Sequence, residues 1–520
     1  MQQEITLVLS PKDASDFKFF LPVAASKAGV NLNEIKWHRI LRKSIDARQR
    51  DIKINLKLLL GVNETKPQFV IKPDYQNVST KPTVIIVGAG PAGLFAALRL
   101  LEIGLKPIIV ERGKDVHERK RDIATINRTK TVALESNYCF GEGGAGTFSD
   151  GKLYTRSNKR GDVTKILNSF FYHGAPEDIL YETHPHIGTD KLPAIIEKMR
   201  NTIVEAGGKI FFETRMCDIL IKDNKIQGIV TQSSDKIEAG AVILATGHSA
   251  RDVYELLHGK NILLEAKPFA MGVRVEHPQQ LIDSIQYHFR GNRNPFLPAA
   301  TYNWAEQVDG RGVYSFCMCP GGYIVPASTS PTEIVVNGMS PSKRNSPFAN
   351  SGIVVEIHSE DLDGFQQYGA LAGLKFQHDF ETLAFRNGGG GQIAPAQRLT
   401  DFLSNKISNS LPENSYQCGT ISSPVHFWLP DLIAIKLKQA FKIAGNKMHG
   451  YLTPDAVVVG VESRTSTPVK IPRDATTMQH PQIAGLFPCG EGAGYAGGIV
   501  SSAMDGENCA DKVKTFFENI

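Results

Sequence analysis

The stretch Val84-Ile85-Ile86-Val87-Gly88-Ala89-Gly90-Pro91-Ala92-Gly93-Leu94 constrains the fold of this chain more than any other. Four β-branched apolar residues run straight into G-x-G-x-x-G. Leu94, Phe95, Ala96, Ala97, Leu98 and Leu100 then follow with helix-forming character. A strand that turns at once into a helix needs Gly88 for the tight turn. Gly90 lets backbone approach a diphosphate, and Gly93 lets helix and strand pack closely. The diphosphate then rests on the helix N-terminus, where unpaired N–H groups and the helix dipole favour negative charge. Leu105 to Val110 forms a second strand ending in Glu111, 23 residues after Gly88, where an acid can accept from a ribose diol. A dinucleotide is therefore expected on Gly88, Gly90, Pro91, Ala92, Gly93, Glu111 and Arg112.

Three later segments bear on which dinucleotide. Val242-Ile243-Leu244-Ala245-Thr246-Gly247 resembles the strand-plus-Ala-Thr-Gly element of flavoproteins, with Thr246 and Gly247 beside the adenine half of the cofactor. Gly485-Leu486-Phe487-Pro488-Cys489-Gly490-Glu491 is similar to their second fingerprint, which brings Gly490 and Glu491 towards the ribityl-phosphate. Gly497-Gly498-Ile499 then opens a helix near the pyrimidine end of the flavin, and its dipole would stabilise negative charge there. These resemblances imply FAD rather than NAD. Phe140 to Thr147 holds four glycines and is too glycine-rich for an element interior. It reads as a loop threading past the cofactor with Gly143 and Gly144 in contact, or as a structural Ω-loop.

Residues 1–61 read as a small α+β unit: a strand over Ile5 to Leu9, a helix over Asp16 to Ala28, and strands over Ile35 to Ile45 and Ile52 to Leu60. Residues 62–82 look like a linker. A β-α-β pattern starts at 83. It continues with a helix over 190–206, a strand over 209–214, short strands over 217–222, 226–231 and 236–239, and the apolar strand Ala241 to Ala245. Residues 251–449 form a long mixed insert, and the nucleotide-binding part resumes over 450–520. The expected class is α/β: an FAD-binding Rossmann-like domain of glutathione-reductase type, an inserted α+β substrate domain and a small N-terminal α+β domain.

With 42% apolar and 21% charged residues, the chain has enough apolar side chains for large cores. Seven scattered cysteines, an odd number, point to reduced thiols and a cytoplasmic setting rather than a disulfide framework. No apolar run approaches ~18 residues, so no membrane partner is expected, and no signal peptide is read at the N-terminus. Net charge is +5, and Lys36, Arg39, Arg42, Lys43, Arg48, Arg50, Lys53 and Lys57 crowd into the first unit. They form either a solvated face or a docking surface for an anionic partner. No aromatic ladder supports nucleic acid as that partner.

With these pieces placed, the chain resembles the bacterial-type uncharacterised FAD-dependent dehydrogenases, also labelled NAD(FAD)-utilising dehydrogenases. The likeness lies in Leu41 to Arg48, Phe148-Ser149-Asp150-Gly151-Lys152-Leu153, His184 to Leu192, Phe316-Cys317-Met318-Cys319-Pro320-Gly321-Gly322, Val461 to Ser466 and Gly490 to Ile499. It implies FAD and redox chemistry without naming a substrate. No second strand, glycine turn and helix is read as a separate nicotinamide-binding fingerprint, so NAD(P)H, if used, would bind transiently. The Cys-x4-Cys of the glutathione-reductase arrangement is also absent.

Catalytic candidates follow from position. Cys317 and Cys319, at i and i+2, would share one face of a strand and could pack, react as thiols or bind a soft metal. Two thiols alone do not complete a zinc site, and no metal is expected. His184 and His186 line the site or cap the helix that Asp190 would begin. His248 follows Ala245-Thr246-Gly247 and lies close to the cofactor, or satisfies backbone groups. Arg464 holds an anionic substrate or the flavin's carbonyl edge, or pairs with Glu462. Gly388 to Gly391 is a lid or a plain linker. The leading reading is an oxidoreductase moving hydride between flavin N5 and a small organic substrate. The alternatives are a flavin-holding protein and an RNA-modifying flavoprotein that uses the basic unit.

Overall fold

A computed structural model describes residues 1–69, 72–155, 158–289 and 291–519. The strand Thr83–Val87 stops where Gly88 takes φ +104°, and a Cβ there would lie 2.4 Å from the Ala245 carbonyl oxygen. The helix Pro91–Glu102 starts three residues on, with Gly90 as its N-cap and Pro91 in its first turn. Proline is favoured there because its missing N–H would have had no helical partner. A Cβ on Gly93 would sit 2.0 Å from the Gly88 oxygen, so this helix touches the strand end through bare backbone.

Five parallel strands form the central sheet, in the order Leu486–Pro488, Val242–Leu244, Thr83–Val87, Lys106–Val110, Lys209–Phe211. Parallel sheets need cover on both faces, and alternate residues of Thr83–Val87 serve one face each. Val84 and Ile86 pack under the helices Pro91–Glu102, Leu192–Glu205 and Ile499–Glu518. Ile85 and Val87 pack under the helix Arg251–Gly259 and the antiparallel meander Met216–Lys222, Lys225–Thr231, Lys236–Glu238. The last helix crosses the first so closely that a Cβ on Gly506 would lie 2.1 Å from the Ala92 oxygen.

The insert is built on a seven-stranded mixed sheet, in the order Ala305–Val308, Arg311–Cys319, Phe348–Ile357, Phe269–Pro278, Val457–Glu462, Ala394–Arg398, Thr420–Ser422. Its long helices are Ala372–Arg386 and Asp431–Lys447. The boundary read at 449/450 therefore moves. Val457–Glu462 is antiparallel to Phe269–Pro278 and completes the insert's sheet before the chain returns to the parallel one. The apolar run Val457 to Val461 looks the same from either side of a boundary, which is why sequence alone misplaced it.

The N-terminal unit is an antiparallel three-stranded sheet with Lys53–Val62 between Gln2–Leu9 and Ile35–Asp46, under the helix Phe17–Ala28. Asp16 caps that helix by accepting from the Lys18 N–H, and Gly29 ends it at φ 69°. The segment read as a linker is tied down at its far end. Val78 is fully buried, and its N–H donates to the Ala206 carbonyl. Gly388 to Gly391, read as a lid or a linker, is held as a turn by local contacts. It turns out of the helix Ala372–Arg386, with the Gly389 N–H on the Ile393 carbonyl and Gly391 packed on Lys130.

The contact at Gly506 predicts that Gly506→Val lowers the thermal midpoint, because the added methyls force apart two helices at a cost of about 1–3 kcal/mol. Scanning fluorimetry of the purified variant checks this, and an unchanged midpoint would show that the two helices do not pack on backbone.

Candidate functional site

The C-terminal ends of three parallel strands bring Gly88, Glu111 and the Ala245-Thr246-Gly247 turn to one edge of the sheet, where open α/β sheets bind ligands. A cavity of about 380 Å³ opens there and continues to the insert's sheet, so residues of both parts line it. Gly88, Gly90, Pro91, Ala92, Glu111, Arg112, Gly144, Thr246, Gly247, Glu491, Gly497, Gly498 and Ile499 all border this one space. Gly93, Gly143 and Gly490 do not line it. They stand behind the wall, where close packing needs them: a Cβ on Gly143 would meet the Thr147 hydroxyl at 1.9 Å, and one on Gly490 would meet the Ala92 Cβ at 2.9 Å.

At the nucleotide end, Glu111 is almost fully buried, and its carboxylate accepts three backbone N–H bonds: Ala89 at 2.9 Å, Gly113 at 2.9 Å and Gly141 at 3.0 Å. It was expected to face a sugar, but its first role is to tie three loops together. Its two oxygens offer about four acceptor positions, so one is left for a hydroxyl on the cavity side. The glycine-rich segment is held by Arg119, which sequence reasoning missed. This guanidinium is fully buried and donates to the carbonyls of Asn137, Tyr138, Gly141, Glu142 and Gly144. Burial pushes it down to about 10. An arginine inside a charged run, Glu118-Arg119-Lys120-Arg121, carries no visible sign of burial. Held this way, Gly144 lies against Gly90, where a Cβ would come within 3.0 Å of the Gly90 Cα.

The other end has room. A Cβ on Gly247, Gly497 or Gly498 would meet nothing within 4 Å, and all three face the cavity. Gly498 caps the helix Ile499–Glu518, whose N–H groups open on the same space. Glu491 lies 3.5 Å from His248 Nδ1, and both face the cavity. Arg112 stacks on the Phe140 ring at 4.2 Å and pairs with Glu135 and Asp252 at 2.6 and 2.9 Å, bracing the wall.

The insert contributes Phe316, Cys317, Asn337, Arg464 and Thr465, and the loop after the glycine-rich segment contributes Asp150, Lys152 and Tyr154. Arg464 does not pair with Glu462. Its guanidinium bonds Glu381 at 3.0 and 2.9 Å, Glu333 at 2.8 Å and the Thr329 hydroxyl at 2.8 Å. Arg251, read as the first residue of the insert, belongs instead to the helix Arg251–Gly259 that covers the parallel sheet, and it reaches the same two carboxylates at 3.0 and 2.8 Å. Burial alone would raise the Glu381 carboxyl, but Arg251 and Arg464 outweigh it and hold it at about 2. Glu333, Glu381 and His378 converge, yet the two arginines already neutralise the carboxylates. Glu462 pairs instead with fully buried Arg274 at 2.7 Å, and burial pushes its carboxyl up to about 7.

Cys317 and Cys319 do not stand in a regular strand. The ladder with Phe348–Ile357 slips between Phe316 and Cys319, and Cys317 takes φ 46°, a conformation side chains rarely adopt. Cys317 borders the cavity, whereas Cys319 is fully buried behind it and is not a lining residue. A hydrogen bond from Cys319, with Lys152 and Arg274 nearby, pulls the Cys317 thiol down to about 5 despite its burial. Lys152 Nζ itself donates to the Met318 carbonyl.

His186 bonds the Ser342 carbonyl at 3.1 Å and His184 packs on the Tyr154 ring at 4.8 Å, so neither caps the helix Leu192–Glu205. Asp190 does not cap it either, and accepts from the Ser342 N–H and hydroxyl at 2.6 and 2.7 Å. In the basic N-terminal unit, Lys43 pairs with Glu182, Arg48 with Asp46 and Lys57 with Glu4, while Arg39 covers the Phe69 ring.

These features suit FAD. Two helix N-termini face the space, Gly90 is the one glycine of the Gly88–Gly93 motif whose Cβ would be free of backbone contact closer than 3.8 Å, and the open glycines lie at the far end. The family described as FAD binding domain matches residues 81–136, and the one described as FAD-dependent protein, C-terminal domain-like, matches residues 268–465. A domain of unknown function matches residues 1–60. An uncharacterised protein of Clostridium beijerinckii is 40% identical over 514 residues, which is 95% of each chain. A thiamine thiazole synthase of Pyrococcus abyssi is 26% identical over 38% of this chain and 69% of its own length. Glycine oxidase from Bacillus cereus aligns at a TM-score of 0.31 and 13% identity, over 84% of this chain and 95% of that one. The chain carries an FAD-binding domain of the flavoprotein class. It belongs to the same family as the Clostridium beijerinckii protein.

The Glu381 network has a pH signature. Its carboxyl is held at about 2 when folded, against an ordinary value of 4.5, so its stabilisation is present above the ordinary value and is lost as pH falls from there towards 2. Glu381→Gln, which leaves Arg464 and Arg251 short of a counter-charge, should cost about 3–5 kcal/mol at neutral pH. The variant should also lose part of the acid limb. Thermal midpoints across pH 3–7 check this, and an acid slope identical to that of the parent protein would refute it.

Proposed function

We propose that this protein is an FAD-dependent oxidoreductase of the dehydrogenase type, acting on a small organic substrate held between the open glycines and the insert's sheet. The observation that carries the reading is the single cavity joining the Gly88–Ala92 turn, the Gly497–Gly498 helix start and the Cys317 bulge. Bound there, FAD would supply two-electron chemistry by hydride transfer at its N5.

The chain's own groups do the rest. The Gly88–Ala92 turn and Gly144 hold the diphosphate against the helix end. Glu111 offers its remaining lone pair to the ribose, and Gly247, Gly497 and Gly498 leave space for a planar ring. Cys317, whose thiol is pulled below its ordinary value by the hydrogen bond from Cys319 and by Lys152 and Arg274, takes a proton from the substrate or returns one, as proton movement must accompany hydride movement. Lys152, beside it, favours the thiolate over the thiol. Arg464 has four donor bonds on the two carboxylates and Thr329 among the described residues, leaving one of its five N–H groups for an anionic group of the substrate. NAD(P)H, lacking a dedicated fingerprint, would visit the same cavity transiently as electron donor.

The purified protein should be yellow, and its flavin should bleach anaerobically with NAD(P)H or substrate. Gly90→Val should weaken FAD at least about tenfold, a loss of about 1.4 kcal/mol, while circular dichroism stays that of the parent. A parent protein that cannot take up FAD, or a Gly90→Val variant that binds it equally well, would end this reading.

A further inference from the structure

A pair of thiols on a cavity wall is unusual where one is open to the cavity and the other sits sealed directly behind it. In a regular strand, residues two apart are separated by about 6.6 Å, at the upper limit of what a disulfide spans. Here the bulge between Phe316 and Cys319 and the left-handed backbone of Cys317 break that regular spacing. Cys319 Sγ donates to the Cys317 carbonyl at 3.3 Å, which holds the second thiol against the backbone of the first. Around them stand two cations. Arg274 Nη2 lies 3.7 Å from Cys319 Sγ and 2.7 Å from the Cys317 carbonyl, and Lys152 is held against the next carbonyl, that of Met318. Arg274 is itself anchored by Glu462 and Asn350. Both cysteines are free thiols.

We infer that Cys317 and Cys319 are a redox dithiol that reduces disulfide-class compounds entering the cavity and is left as an intramolecular disulfide. The Cys317 thiolate attacks one sulfur of the incoming S–S bond, which breaks and releases the first sulfur. That leaving group takes the proton of Cys319 and departs as a thiol. The Cys319 thiolate, stabilised by Arg274, then attacks Cys317 Sγ. The mixed disulfide breaks, and the second sulfur leaves as a thiolate. Two electrons have moved from the pair to the substrate. Two electrons and one proton restore the starting thiolate and thiol, and reduced FAD bound in the cavity would supply them. Disulfides thereby become the substrate class of the oxidoreductase proposed above, whose flavin is needed only for that last step. A low thiolate affinity for protons keeps the attacking group ready at neutral pH.

Oxidised glutathione, added to the full-length protein under argon, is the probe, followed by alkylation and peptide mapping. Trypsin releases both cysteines on one peptide, residues 312–343. In the parent protein this peptide should become unalkylated and two hydrogens lighter, while Cys217 stays alkylated. Cys319→Ser should stop at a glutathione adduct on Cys317, and Cys317→Ser should show neither product. Lys152→Met should move the pH midpoint of adduct formation upward. Both thiols of the parent remaining alkylated would overturn the proposal, as would a cross-link mapped to Cys489 and Cys509 instead. The parent experiment needs no variant to fold and no flavin to be bound. A colourless protein that still forms the cross-link would refute the FAD reading alone, and a yellow protein with inert cysteines would refute the dithiol alone.

Discussion

One buried carboxylate organises the nucleotide end of this molecule. Glu111 takes N–H bonds from Ala89 in the phosphate turn, Gly113 in its own turn and Gly141 in the glycine-rich segment. Charge-assisted bonds of this kind contribute about 1.5–3 kcal/mol each. They draw three loops, far apart in sequence, to one point. Arg119 does the complementary work, giving its N–H groups to carbonyls of the same segment. Backbone that would otherwise leave polar groups stranded near the core is thereby satisfied, and Gly90 and Gly144 come to face the same space.

A second charged cluster joins the two halves of the cavity. Arg251 belongs to the nucleotide-binding part, while Arg464, Glu333 and Glu381 belong to the insert and its return. Buried ion pairs of this sort are weak sources of net stability, because desolvation consumes much of the attraction. They are strong sources of geometry, since a single unpaired member is costly. The network therefore sets how the insert's sheet sits over the parallel sheet, and so where the Cys317 bulge stands relative to the open glycines.

Much of the nucleotide half was legible because it rests on local rules. Gly88, Gly90 and Gly93 announce a turn, an approach and a packing contact at fixed offsets, and the helices, the second strand and the meander follow apolar periodicity. Other readings failed where a partner far along the chain decided the matter. Glu462 and Arg464 lie two residues apart, yet their charges are claimed by Arg274 and by Glu333 and Glu381. Asp190 read as the start of a helix, yet the helix opens at Leu192 and Ser342 takes the Asp190 carboxylate. Arg119 carries no local sign of its burial, and Gly388 to Gly391 read as a lid or a linker, because nothing within a few residues shows that they are packed.

The sequence by itself determined that a strand, a glycine turn and a helix would shape a dinucleotide-phosphate site, since backbone sterics at Gly88 and Gly93 act over a handful of residues. It also determined the pair of thiols two residues apart and the N-terminal three-stranded unit. Only the tertiary structure decided which thiol meets the cavity and which lies behind it, because that depends on a slipped register against Phe348–Ile357. It alone decided that Glu111 serves backbone before ligand, and that Val457–Glu462 belongs to the insert. Hydrogen bonds and charges are satisfied by whatever approaches in space, and spatial approach is the one quantity that local sequence does not encode.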